Sequence, residues 1–350
     1  MGPLTLRRIL RSRTKPKSWS AVLTAHRVAG NRAEAAVRIF YCFPLFWLAT
    51  HLSELTPLLR PAEPSLLWPV AWVRWTDLAP PIILGFGFVS ATLGAWRPEE
   101  RWIRLCVFIG LLEVLALKFS FGKIHHLMHA WLFCTFVFVW LPNDWHRAHG
   151  PGRARVRRQS LLFVFSGAQV AVAMTYSLAG LGKILGTAYQ AVLGQVTPLH
   201  PSALARHIAD RILQTHADSL LGAWMIEHAA FLWPMMIGTL YLQTFALFAA
   251  LRPRLHRVWG VGLMVFHTVT LLALTIDFTP SIFLVGLLFV ASPVAPNRFD
   301  LFGFLRDLPI IGFGIEALRQ AAISPVGEPR APPACTETRS RKPPVRSRCE

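Results

Sequence analysis

The sequence predicts an all-α, polytopic membrane protein: a helix bundle of about eight transmembrane helices with a short amphipathic helix on its outer face. Three observations carry this. Of 350 residues, 53% are apolar and only 15% charged, whereas soluble domains carry about 25% charged residues. The apolar residues gather in runs of about 20, the length a helix needs to cross ~30 Å of hydrocarbon. The basic residues between the runs fall on alternate sides of the inferred membrane. Such hydrophobicity excludes a disordered chain for all but the ends.

The net charge of +18 sits at the two ends and in short loops, so the expected partner is a bilayer with anionic headgroups at the cytoplasmic face, and no nucleic acid. Five cysteines at 42, 106, 134, 335 and 349 form no CxxC pair, which indicates neither a zinc site nor a disulfide framework.

Residues 1–34 form a basic cytoplasmic arm whose first acidic residue is Glu34. A mitochondrial transit peptide has that composition too, but an arm lying on anionic lipid explains the charges without cleavage. The eight-span domain follows over 35–296, with apolar runs at 35–53, 77–95, 103–119, 125–142, 160–182, 229–251, 257–276 and 279–296. In the first outer loop Trp68, Trp72 and Trp75 are spaced to share one helical face, as an interfacial aromatic belt would. The long outer loop 183–228 places Leu204, Ile208 and Ile212 at i, i+4, i+8 after Pro201, predicting an amphipathic helix that serves as a partial lid. Residues 297–322 mix apolar and basic side chains as an interfacial segment, and 323–350 form a basic, Pro-rich tail that can build no core. No internal repeat is visible, which weakens a transporter built on duplicated halves.

With both termini cytoplasmic, 28 of the 36 Lys and Arg lie on inside segments and 7 on outer loops, Arg38 falling within the first run. One span more or fewer before residue 250 would carry the nine basic residues of the tail to the outside, so the separation favours an even number.

An ionisable side chain inside a span costs at least about 2.5–3.5 kcal/mol, and each one raises a functional question. Lys183 closes the fifth run on one helical face with Tyr176 and Gly180, with Gly180 and Ala179 allowing close helix approach. A desolvated amine there could act as a base, whereas a terminal Lys snorkelling to headgroups explains its position without chemistry. Lys123, His125, His126 and His129 open the fourth run from the same side. Two imidazoles at i, i+4 can face one ligand but fall short of the three a metal site needs, so no metal is expected. His267 lies mid-way along the seventh run, with Thr270 one turn on and Asp277 at its outer end, while Glu227 and His228 mark the entry to the sixth. A lone buried His is commonly satisfied by a backbone carbonyl. Glu113 and Arg38 are expected to pair across the first and third spans. Because Lys123, His125, His126, His129, Lys183, Glu227, His228 and Asp277 all fall in the outer half, one outward-opening polar cavity among spans four to seven accounts for them together.

The run Tyr176-x-x-Ala179-Gly180-Leu181-x-Lys183 at a span end, a long outer loop, a later Phe266-His267, and Pro280 thirteen residues after that His resemble the vitamin K-dependent gamma-carboxylase. The likeness is closer to its bacterial relatives, the horizontally transferred transmembrane domain (HTTM) family, which the Gly122-Lys123-Ile124-His125-His126 stretch also resembles; it covers roughly residues 30–300. The resemblance implies a base at Lys183 acting on a reduced quinone as cofactor, whose oxygenation drives removal of a glutamate proton and addition of carbon dioxide. Gly182 stands where the carboxylase has a second lysine, and Thr270 where it has Asn. With little chain after the eighth span, carboxylation of protein glutamates is not the expected outcome. The expected enzyme acts on a quinone or other lipid-soluble small molecule, with Lys183 and His267 catalytic and Tyr176, Lys123, His125, His129, His228 and Thr270 binding substrate. A non-catalytic protein that binds a lipid or a partner in the same cavity stays open as the alternative.

The predicted topology places reporter fusions at Gly150 and Thr215 on opposite sides of the cell membrane. Both reporting the same side would break the eight-span arrangement.

Overall fold

The computed structural model describes residues 30–55, 66–121, 128–143, 151–195, 197, 199–296, 298–315 and 317, so the arm up to residue 29 and the tail 323–350 lie outside it. Among the described residues every regular element is helical. Helix α1 spans Gly30–Thr50 and α2 Leu52–Leu55; a 3-10 segment, Trp68–Trp75, leads to α3, Ala79–Trp96. Then follow α4, Arg101–Ser120, α5, His129–Phe138, and α6, Pro151–Val192. Beyond these lie α7, Ala203–Thr215, α8, Gly222–Glu227, α9, Ala229–Thr244, and α10, Ala246–Ala250. The last part holds α11, His256–Leu274, and α12, Thr279–Val285, which passes into a π-helical turn at Gly286–Val290, and finally α13, Leu301–Asp307.

Helix occurs within each of the eight apolar runs, but four helices are long and apolar enough to cross a membrane: Arg32–Thr50, Ala79–Trp96, Gln159–Val192 and His256–Leu274. The others fall short for visible reasons. Helix α4 has 20 residues but carries Arg101, Arg104, Glu113 and Lys118; α5 and the Thr279–Val290 stretch are shorter apolar helices. Large apolar side chains such as Phe46, Ile82, Val89, Phe163 and Val265 stand exposed on the helices, the inverse of a water-facing surface.

The first half is built on aromatic stacking. Trp131 of α5 is fully enclosed, stacked on Phe40 at 4.7 Å and on Phe43 at 4.0 Å, and its indole N–H donates to the Pro280 carbonyl at 2.9 Å. Proline in the first turn of α12 thereby supplies an acceptor to a helix nearly 150 residues away in sequence, meeting the requirement that a buried indole N–H find a partner. Arg104 is also fully enclosed. Its guanidinium donates to the carbonyls of Pro98 and Leu141 and to Asn143 Oδ1, so that the turn before α4 is tied to the end of α5.

Several local expectations are corrected. Arg38 pairs along its own helix with Glu34 at 3.3 Å, and Glu113 takes a hydrogen bond from Trp72, so the two do not pair with each other. Lys118 meets Glu54 at 2.7 Å, and this bond holds the Glu54 carboxyl below the usual carboxylate range. Trp68 is exposed and Trp72 half-buried, because the segment is 3-10 and kinked at Val70 (φ −115°, ψ 18°) between them rather than α-helical; the Trp75 side chain lies outside the described ones. Helix α6 does not end at Lys183 but continues to Val192, since nothing from Ile184 onward breaks it before Gly194. There a left-handed Gly194 (φ 67°) closes it, its N–H bonding Ala191 O at 3.1 Å while Gln195 N bonds Gln190 O at 2.9 Å, a Schellman ending. The run 229–251 divides at Phe245 into α9 and α10.

Helices α6 and α9 meet at Gly180, where an added Cβ would sit 2.6 Å from the Thr244 backbone nitrogen, while at Gly182 it would meet nothing within 4 Å. Helical Gly→Ala gains about 0.5–1 kcal/mol in the open, and overpacking against backbone costs about 1–3 kcal/mol. Gly180→Ala is therefore expected to destabilise and Gly182→Ala to be neutral or stabilising in thermal melts of the detergent-solubilised protein. Equal melting of the two variants would contradict the close approach.

Candidate functional site

On α6 the polar residues Gln169, Tyr176 and Lys183 recur every seven positions. An α-helix drifts only about 20° per heptad, so the three lie on nearly one face, with Ser177 beside it. Each reaches a different part of the second half of the chain. The central contact joins Tyr176 Oη to His267 Nε2 at 2.6 Å. His267 is buried in α11, with Phe266, Phe278 and Tyr176 rings at 4.9, 4.8 and 5.6 Å. Among the described residues its other nitrogen, Nδ1, is buried without a partner, and so is the Thr244 hydroxyl. Whichever tautomer His267 adopts, Nδ1 is left with an unmade bond, as donor or as acceptor. A buried polar atom in that state costs about 1–3 kcal/mol.

Lys183 Nζ donates to Gln243 Oε1 of α9 at 2.8 Å. Ser177 donates to the carbonyls of Gln243 at 3.3 Å and Thr244 at 3.0 Å and accepts from Leu247 N at 2.9 Å. The hydroxyl thus fills the ladder where α9 gives way to α10, an inserted side chain being a recognised cause of helix interruption. From Tyr176 to Lys183 the helix rises about 10.5 Å, so the hydrogen bonds of Lys183 and His267 form two stations on one face rather than a single contact.

The other expected site residues are distributed more widely. Lys123, His125 and His126 lie outside the described residues. His129 begins α5 and packs edge-on to Phe119 at 5.7 Å. His228 links α8 to α9, stacked on Trp224 at 4.8 Å and bonded through Nδ1 to the Trp224 carbonyl at 2.9 Å. Thr270 donates to Phe266 O of its own helix at 2.8 Å. Asp277 is occupied in starting α12, its Oδ1 accepting from Thr279 N and Oγ1 at 2.7 and 2.6 Å. Among the described residues no group of three or more His, Cys, Asp or Glu is placed to hold a metal ion. A recess opens at the opposite end of α11, between 253–258 and 295–300.

The structure adds polar residues that a search for ionisable groups passes over. Gln243 is one, buried on α9. Gln169 is another: its Nε2 donates to Leu288 O at 2.6 Å and to Ser292 Oγ at 2.9 Å, and lies 3.3 Å from His256 Nδ1. His256 Nε2 in turn meets Ala250 O at 2.9 Å. The available signal was a single amide in each of two otherwise apolar runs, which is costly unless paired. Comparison with known proteins adds no identification, as no family model, curated protein or solved structure matches the chain.

Tyr176→Phe removes the partner of His267 Nε2 and should destabilise the protein by about 1–3 kcal/mol. Chemical denaturation in detergent measures this; an unchanged midpoint would mean that the bond contributes nothing to the fold.

Proposed function

We propose that this is a multi-pass protein of the cell membrane with eight spans and both termini cytoplasmic, and that it performs acid–base chemistry on a quinone or other lipid-soluble substrate bearing a hydroxyl or carbonyl. The observation that carries the reading is the buried Tyr176–His267 bond with His267 Nδ1 left unpartnered. A hydroxyl or carbonyl on a substrate would complete the bonding of that nitrogen, and the tyrosine would hold the ring in one orientation while a proton moves. Three aromatic rings around the imidazole suit a flat apolar molecule better than a hydrated one. A reduced quinone fits these demands, having a hydroxyl on an apolar ring; when bound it would supply the oxidisable group, dioxygen from solution would take its electrons, and this chain would be the proton acceptor.

Lys183 is assigned the role of second base at the outer station. Its bond to Gln243 suits either protonation state, because an ammonium and a neutral amine both donate N–H. Helix α7 and the residues after it would form the lid on that side: Ser219 Oγ donates to Leu272 O and Ala273 O at 3.1 and 2.7 Å, and Leu221 N to Leu272 O at 3.0 Å. These bonds strap the segment to the last turn of α11, two turns from His267. The resemblance of the Ala179-Gly180-Leu181-x-Lys183 run to the carboxylase-like HTTM proteins supports the same assignment.

A second reading, a non-catalytic lipid- or partner-binding membrane protein, is favoured by one observation: Lys183 is an exposed residue of α6 whose Nζ already has Gln243 as partner. The two readings separate in an assay of reduced-quinone oxidation and ligand binding on purified protein. Lys183→Ala and Lys183→Arg are both expected to abolish turnover, because a guanidinium cannot deprotonate, and Tyr176→Phe to lower it by about 10²-fold or more. Full activity in Lys183→Arg would leave the lysine an anchor, and binding without turnover in every variant would select the second reading.

A further inference from the structure

The recess at the start of α11 has no part in the Tyr176–His267 site. It is lined by Arg254, Arg257 and Val258 on one side and by Arg298, Phe299 and Asp300 on the other. The three arginines are not equivalent. Arg254 is neutralised: Nη1 lies 3.4 Å from Asp307 Oδ2 and Nη2 4.0 Å from Asp300 Oδ2. That arrangement is built closely, since a Cβ on Gly303 would overlap the Asp300 carboxylate and sit 3.1 Å from Arg254 Cζ. Asp300 is further committed as the N-cap of α13, accepting from Gly303 N at 3.0 Å. Arg257 and Arg298 are left, among the described residues, with no acidic partner. Two unpaired guanidiniums in one concavity form an anion site, and their planar forks match phosphate oxygens in bidentate fashion.

The surroundings indicate where the phosphate comes from. Phe299 lines the recess and is 64% exposed, and Leu301 and Phe302, which follow it in sequence at the start of α13, are 60% and 62% exposed. Free phosphate arriving from water has no use for this apolar rim, whereas a phospholipid would set its headgroup in the recess and its acyl chains against the three side chains. The recess is shallow, with about 40 Å³ of enclosed space, far below the roughly 300–1,000 Å³ of sites that enclose a small molecule, so it would seat a phosphate and leave the rest of the lipid outside.

We propose that this recess is a binding site for a phosphate-bearing group, the headgroup of an anionic phospholipid, held by Arg257 and Arg298. The chemistry is the same on whichever leaflet the recess faces. The test measures binding of fluorescent phosphatidylglycerol and, separately, of inorganic phosphate to the full chain in neutral detergent. Arg257→Gln with Arg298→Gln should weaken lipid binding about tenfold or more. Arg97→Gln with Arg101→Gln, an equal loss of charge at the turn into α4, should change it less than about twofold. Melting without anionic lipid confirms that each variant is folded, and the exposed Arg298→Gln alone serves if the double variant is not. Equal weakening by both pairs, or binding of neither probe, overturns the site. Tight arginine-dependent binding of inorganic phosphate that displaces the lipid overturns the lipid source.

Discussion

Hydrocarbon offers no hydrogen bonds, so every polar group a span carries must be answered from within the protein. The arrangement of this chain depends on how α6 meets that demand. Leaving one amide unanswered costs about 4–8 kcal/mol on an alkane scale, while an entire domain is stable by only about 5–15 kcal/mol. Two unanswered side chains on α6 would therefore erase most of the fold. Instead Gln169 bonds the residues around the π-helical turn through Nε2, its Oε1 having no partner among the described residues, Tyr176 bonds α11, and Lys183 and Ser177 bond α9. One helix face thus specifies where three other elements can sit, and apolar packing, which has no such direction, fills in around it.

The same demand explains the irregular helices. The interruption at Phe245 exposes main-chain groups that a continuous helix would have paired. They are met by Ser177 and by Trp259, whose indole donates to Leu242 O at 2.9 Å. At the π-helical turn Leu288 O accepts from Gln169. Non-helical backbone at membrane depth survives where protein side chains line it, and both irregularities lie against α6. Among the described residues His267 Nδ1 is one of several buried side-chain atoms without a partner, with Tyr41 Oη, Trp47 Nε1, Gln169 Oε1 and the Thr244 hydroxyl; what sets it apart is that an imidazole nitrogen can take or give a proton near neutral pH.

Composition and run length made the helical, apolar character legible, because each is a sum over many residues and tolerates local error. The common face of Tyr176, Gly180 and Lys183 was also legible, as a matter of helix period alone, and Gly180 indeed touches a neighbouring helix. The end of α6 was not: a lysine resembles a terminus by charge, but the helix runs on through Gly186 and ends where Gly194 takes up the left-handed conformation. The partners of Tyr176 and Lys183 could not be read either. His267 and Gln243 lie 91 and 60 residues away, and nothing local distinguishes a buried His bonded to a tyrosine from one bonded to a carbonyl. Gln169 and Ser292 escaped for a related reason, since uncharged polar residues leave no trace in a charge count, and His256 because it stands one residue before the run 257–276. The spacing of Trp68 and Trp72 misled because the segment is 3-10 and kinked at Val70 between them.

The chain is made from its N-terminus, and every hydrogen bond along the α6 stripe points forward to residues not yet synthesised. The farthest, from Gln169 to Ser292, spans 123 positions; at about 5–20 residues per second that is a wait of roughly 6–25 s. Throughout that interval α6, taken as a membrane span, has an amide and a phenol with no native partner, in a medium that cannot solvate them. The helix cannot simply enter lipid and stand alone. It must be held at the insertion machinery, or keep water beside its polar face, until α11 and the segment after it emerge. The feature that orders the finished bundle thus makes its birth dependent on delay, and the C-terminal third of the chain becomes the part whose loss would strand the middle.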